Sequence, residues 1–213
     1  MHWINTDQLQ KAFHKGTNII DVRSHEELSR GYLKQSLAVD PQNGKLAEWI
    51  GQLLYYPVNE TVLVTSDKSI DITTLQEKMG LPEDVALFYW SADTAIPDSI
   101  PLDMVIPVDG DEFALDYKHD KNIEVLDLRP AAAYAAAHLS KAVHVEWLFV
   151  GSLIQEYELE DKIYLLTEDD ATAWAVATLF RFNGFQFARP VLARIEDLPQ
   201  YGLTLDKPKK KKS

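Results

Sequence analysis

Asp21-Val22-Arg23 ends an apolar run, and Asp127-Leu128-Arg129 ends a similar one in the second half of the chain. A carboxylate and a guanidinium two residues apart at a strand end form a hydrogen-bonded ion pair. That chemistry organises backbone rather than attacking a substrate. Other reactive side chains are few. The 213 residues include no cysteine, which excludes disulfides, thiolate metal sites and thiol catalysis. Thr65, Ser66 and Thr167 offer hydroxyls, but a hydroxyl is a poor nucleophile without an adjacent base, and no histidine lies near them in sequence. The six histidines make no H-x-x-x-H or H-E-x-x-H pair, so no metal site is signalled; His138, His144 and Glu146 come nearest to one. Glu168-Asp169-Asp170 lacks the spaced ligands and glycine of a calcium loop and reads as a helix cap instead. Gly44 and Gly51 form no phosphate-binding pattern, and no cofactor is implied.

The elements that must position these residues come in two similar sets. Asn18 to Val22 reads as a buried strand, Ser24 to Glu27 as an S-x-x-E capping box opening a short helix, and Leu37 to Val39 and Thr61 to Val64 as further strands. Thr6 caps an amphipathic helix through Leu9, Ala12 and Phe13 that stops at Gly16. Thr73 to Met79 is helical, and Val85 to Trp90 is an apolar, aromatic strand. The second half repeats the order: a helix over Asp111 to Tyr117, a strand over Ile123 to Leu128, an alanine-rich helix after Pro130, strands at Val143 to Val145 and Ile163 to Leu166, and a helix over Thr172 to Asn183 stopped by Gly184. Strands alternating with helices imply an α/β fold with a mostly parallel sheet in each half. The Pro- and Asp-containing stretch from Ser91 to Pro101 reads as the linker. The domains expected are therefore 1–95 and 102–206, followed by a disordered basic tail over 207–213.

Bulk properties narrow the partners. The formal net charge is −12, although five lysines fall in the last seven positions, so the body is more acidic still. Such a body repels nucleic acid and anionic membranes. No apolar run reaches the length of a membrane span, and the N-terminus has no signal pattern, which makes the cytoplasm the expected location. Tyr55-Tyr56 and Trp147-Leu148-Phe149 fall in loop-like regions and are candidates for an interface.

The D-x-R strand end, the helix after it and the following G-H-[IL] segment together resemble the rhodanese-like family, in which tandem modules are common. Asp21, Arg23, Glu27, Gly31 and Leu33 fit the first copy, with Tyr32 in place of the usual histidine. Asp127, Arg129, Tyr134, His138 and Leu139 fit the second, with Ala137 in place of glycine. The resemblance implies two rhodanese-like domains, each a small, mostly parallel sheet flanked by helices. It also implies that a cysteine should end the next apolar strand, carrying sulfur as a persulfide inside a loop of inward-pointing amides. Thr167 occupies that position in the second copy, by its spacing to Gly184-Phe185; in the first copy Thr65 or Ser66 does.

The loops that would cradle sulfur are Asp67, Lys68 and Ser69 in the first copy and Glu168, Asp169, Asp170, Ala171 and Thr172 in the second. A hydroxyl cannot hold a transferable sulfane sulfur, and three carboxylates would repel thiosulfate, persulfide or phosphate. The expected function is a catalytically inactive module that binds a protein partner. One alternative is a sulfur-metabolism protein that holds a sulfur compound or a sulfur-carrier partner without covalent chemistry. Another is a hydrolase using Ser66 or Thr167 with a remote histidine.

Overall fold

The structure, a computed structural model, describes residues 2–54, 59–66, 71–94 and 96–207. Tyr55 and Tyr56, the loop residues Asp67, Lys68 and Ser69, and the tail beyond Lys207 lie outside them. The chain forms two compact units, Met1–Met104 and Val105–Ser213.

The first unit runs β1 (His2–Trp3), α1 (Thr6–Lys15), β2 (Asn18–Asp21), α2 (His25–Leu28), β3 (Tyr32–Leu33), β4 (Ser36–Ala38), α3 (Gly44–Leu53), β5 (Glu60–Thr65), α4 (Ile72–Lys78), β6 (Ala86–Ser91) and β7 (Leu102–Asp103). Its main sheet has the order β1-β6-β5-β2-β4, with every pairing parallel. The second unit runs α5 (Gly110–His119), β8 (Ile123–Asp127), α6 (Ala131–Ala136), β9 (His138–Leu139), β10 (Ala142–His144), α7 (Val150–Leu153), β11 (Lys162–Leu166), α8 (Asp170–Phe182), β12 (Ala188–Pro190) and β13 (Leu205–Asp206). Its sheet, β10-β8-β11-β12, repeats the four strands β4-β2-β5-β6. A single parallel bridge between Val108 and Val191 stands where the first unit has β1.

Local chemistry accounts for most of these elements. Strands with both faces covered need continuous apolar runs, and Val62-Leu63-Val64 and Ile163 to Leu166 are all at most 2% exposed. The capping box at Ser24 forms as the sequence expects, with Glu27 returning to the Ser24 amide. At α1 the cap is Asn5, not Thr6: the Asn5 side chain accepts from the Gln8 amide while Gln8 reaches back to Asn5. Gly16 ends α1 in the left-handed region at φ 76°.

Helix α3 has no counterpart in the sequence reading. Glycines at its first position and near its end weaken the local signal, yet Ala47, Trp49 and Ile50 are at most 2% exposed, so burial makes the helix. Gly51 is required there: a Cβ at that position would lie 1.9 Å from the Met79 carbonyl oxygen just after α4. Within the stretch read as a linker, Ile100 packs in the core of the first unit, and β7, just beyond that stretch, pairs with β3.

In the second unit α5 ends at Asp120, whose carboxylate pairs with Lys162 at the start of β11. The hydrogen bond from Lys162, with help from the Asn122 amide, holds the Asp120 carboxyl below its ordinary value.

Two outcomes follow. Gly51→Ala forces α3 away from the Met79 backbone and lowers the stability of the first unit by about 1–3 kcal/mol, read as an earlier urea transition; an unchanged midpoint contradicts the packing described. Because the folded Asp120 value is depressed, its stabilisation is complete above the unfolded carboxylate value of about 3.9 and is lost as pH falls through the lower folded value. Asp120→Asn therefore shows a shallower acid loss of stability below about pH 4 than the parent protein. Equal pH slopes in thermal melts would contradict this.

Candidate functional site

In both sheets the chain leaves the central strand to one side and returns on the other. From β8 it passes to β10, then crosses to β11 on the opposite flank. The carboxyl ends of β8 and β11 thus form a topological switch point, the place where open α/β sheets bind ligands. The D-x-R residues and the hydroxyl residues converge there. Asp127 is in register with Leu166, which directly precedes Thr167, and Asp21 is in register with Val64, which directly precedes Thr65.

The Asp–Arg pair is built the same way twice. Asp127 is wholly buried and Arg129 is 5% exposed. Arg129 Nε donates to Asp127 Oδ1 at 2.9 Å, and Nη2 donates to Oδ2 at 2.6 Å and to the Ala137 carbonyl at 2.8 Å. Arg23 repeats the set, with Nη2 reaching Asp21 Oδ2 at 2.6 Å and the Gly31 carbonyl at 3.1 Å. Burial pushes the Asp21 carboxyl up against the pull of its hydrogen bonds from Arg23. Burial also works against the charge on Arg23, but the hydrogen bond and attraction of Asp21 prevail and hold the guanidinium above its ordinary value.

In the second unit Thr167 Oγ1 donates to the Asp169 carbonyl at 2.7 Å. Asp169 is the N-cap of α8, and its Oδ1 accepts from the Thr172 amide at 2.8 Å. Asp170, Ala171 and Thr172 are therefore helical, and only Glu168 and Asp169 separate Thr167 from α8. The Thr167 hydroxyl and the Thr172 amide are thus satisfied from within this short turn.

In the first unit Thr65 is 2% exposed at the end of β5. The Ser66 hydroxyl meets Glu27 instead of a histidine. Partial burial raises the Glu27 carboxyl, but hydrogen bonds from Ser66 and Ser24 outweigh it and keep the group below its ordinary value. A carboxylate held low is a weak base for removing a hydroxyl proton.

Two cavities open at the second switch point. One, of about 310 Å³, is lined by Arg129, Pro130, Glu146, Trp147, Leu148, Glu168 and Asp169, among others. The other, of about 230 Å³, is lined by Arg129, Thr167, Glu168, Arg194, Ile195 and Glu196. Arg194 and Glu196 went unnoticed in the sequence because they arrive at the start of a 3-10 turn, Ile195–Tyr201, which Arg194 directly precedes, and no local pattern marks them. His138 and His144 do not gather at a metal with Glu146. Their rings sandwich Tyr134, with centroids at 4.1 and 4.8 Å, and each hydrogen-bonds a backbone carbonyl. No His, Asp and Glu group among the described residues could hold a metal ion.

The family model described as "Rhodanese-like domain" matches twice, over residues 5–90 and 111–192. The chain belongs to the rhodanese-like family, as two tandem domains without a cysteine. A search of curated proteins finds no match. Among solved structures the chain is similar to the Alr3790 protein from Anabaena sp., at 17% identity over 47% of this chain and 91% of that one, with a TM-score of 0.43. The BH2092 protein from Bacillus halodurans gives 20% identity over 47% of this chain and 76% of that one, with a TM-score of 0.42. A thiosulfate sulfurtransferase from Pseudomonas aeruginosa gives 18% identity over 96% of this chain and 40% of that one, with a TM-score of 0.40.

Arg129→Met leaves the Asp127 carboxylate buried and unpaired, and lowers the stability of the second unit by about 3–5 kcal/mol. Arg30→Met breaks the exposed pair with Glu26 and costs no more than about 0.5 kcal/mol. Urea unfolding of the two variants separates these values; similar small losses would contradict the account of the buried pair.

Proposed function

We propose that neither domain transfers sulfur and that the protein works by binding a protein partner, as a scaffold or regulatory module. The observation that carries this reading is the turn after β11. Thr167 takes the cysteine's place, and its hydroxyl is committed to the Asp169 carbonyl while Asp169 caps the helix. The site so formed has no thiol to carry a persulfide, and a carboxylate of the chain itself accepts the Thr172 amide. Glu168 and Asp169 at this position, with Glu146 across the cavity wall, oppose a thiosulfate or phosphate by on the order of 1 kcal/mol per charge. The same repulsion argues against noncovalent binding of a small sulfur oxyanion. No helix among the described residues is long and apolar enough to cross a membrane. A reducing cytoplasm and an acidic body that avoids nucleic acid complete the proposal.

Purified protein incubated with thiosulfate and cyanide forms no thiocyanate above the protein-free background; turnover above it would overturn the proposal. Restoring the sulfur atom alone is not enough. Thr167→Cys places a thiol beside Glu168 and Glu196, with the flanking Arg129 and Arg194 already paired to Asp127 and Glu196, so it does not ionise below the ordinary thiol value of about 8.5 and remains inactive in the same assay. Iodoacetamide labelling against pH reads the ionisation directly, and a thiol already reactive at neutral pH would contradict the electrostatic argument.

A further inference from the structure

The larger cavity at the second switch point has two kinds of wall. Trp147 and Leu148 supply apolar surface, and Glu146, Glu168 and Asp169 supply carboxylates. Among the described residues none of these three carboxylates is ion-paired; Asp169 accepts one backbone amide. The cation on the wall, Arg129, spends its Nε and Nη2 on Asp127 and the Ala137 carbonyl, and its Nη1 makes no hydrogen bond among the described residues. The wall is therefore net anionic beyond what the start of α8 offsets, and Arg129 Nη1 keeps its hydrogen-bonding capacity without being buried. Beside it, Leu148 is 49% and Phe149 58% exposed on the 3-10 turn after β10, an apolar rim that the core does not absorb.

We propose that this cavity docks a basic segment of a partner protein in which lysine or arginine alternates with large apolar side chains. The inference rests on the reading that the site no longer performs sulfur transfer. The cationic head meets Glu146 and Glu168, and its aliphatic stem lies along Trp147 and Leu148. A neighbouring apolar side chain covers Phe149, and a backbone carbonyl of the segment is the complement for Arg129 Nη1. A small anion meets repulsion here, and a bare metal ion makes no use of the apolar wall. The chain's own Lys207 to Ser213 has the charge but only one proline as apolar surface, so it matches half of the site.

The test uses the full-length protein and fluorescence anisotropy of a short labelled peptide that interleaves lysine with leucine. Binding is expected, weakening as salt is raised from about 0.05 to 0.5 M, with none for the counterpart carrying glutamate in place of lysine. Glu146→Gln with Glu168→Gln weakens it about five- to tenfold, whereas Asp7→Asn with Glu83→Gln, an equal charge change in the first unit, leaves it unaltered. Leu148→Ser weakens it without changing the thermal melt, because the side chain is exposed. A peptide of the sequence Lys-Pro-Lys-Lys-Lys-Lys-Ser binds several-fold more weakly than the lysine–leucine probe. The proposal is overturned if both charge pairs weaken binding equally, if the lysine-only peptide binds as tightly, or if the lysine–leucine peptide does not bind. The thiocyanate assay is independent: absence of peptide binding with no turnover removes this inference alone, while turnover removes the inactive reading beneath it.

Discussion

A wholly buried carboxylate at the end of the central strand is the constraint around which each domain is arranged. An ionised Asp in that position is costly unless its oxygens are filled, and in both domains one arginine two residues later fills them. The arginine must then turn back on the strand, which fixes the path of the chain after it. Its remaining bond, to the Gly31 or Ala137 carbonyl, fastens the segment after the short helix to the same point. The end of the sheet is thus rigid, and the residue after β5 or β11 arrives beside it at a set register. The cation is mostly consumed in the process. Little positive charge is left over for the switch point, so the side chains of the neighbouring loops decide the sign of the site.

Those loops differ between the two domains while the frame does not. In the first, Glu27 closes a capping box and also accepts from Ser66, so the carboxylate that organises α2 stands beside the hydroxyl. In the second, Asp169 closes α8 and its carbonyl takes the Thr167 hydroxyl. Both arrangements satisfy polar groups locally. On the proposed reading, the free energy that a sulfurtransferase would hold as an open, electropositive amide ring is here spent on ordinary helix capping.

The neighbouring 3-10 turn departs from economical packing. Trp147 and Leu148 line the cavity, Leu148 and Phe149 are about half exposed, and Glu146, Glu168 and Asp169 have no ion pair among the described residues. Apolar surface and unpaired charge side by side are a poor way to stabilise an isolated domain and a good way to recognise a segment bearing both features.

The sequence by itself determined the repeat, the parallel α/β character, the Asp–Arg pairs and the absence of thiol chemistry. These are legible because each rests on residues close together in the chain: alternating apolar runs, S-x-x-E at a helix start, a carboxylate and a guanidinium two apart. The cap at Asn5 in place of Thr6 is a one-residue miss of the kind local rules allow, since both side chains can accept an amide. Only the tertiary structure decided the rest. Helix α3 exists because its buried face fits against α4, with Gly51 against the Met79 backbone, a long-range contact that overrides weak local propensity. His138 and His144 sandwich a tyrosine rather than meet a carboxylate, because backbone carbonyls fix their rings. Arg194, Glu196, Trp147 and Glu146 share the switch point with Thr167 and Glu168 although they are far apart in sequence. A cavity is a property of chain crossings, and no window of neighbouring residues contains that information.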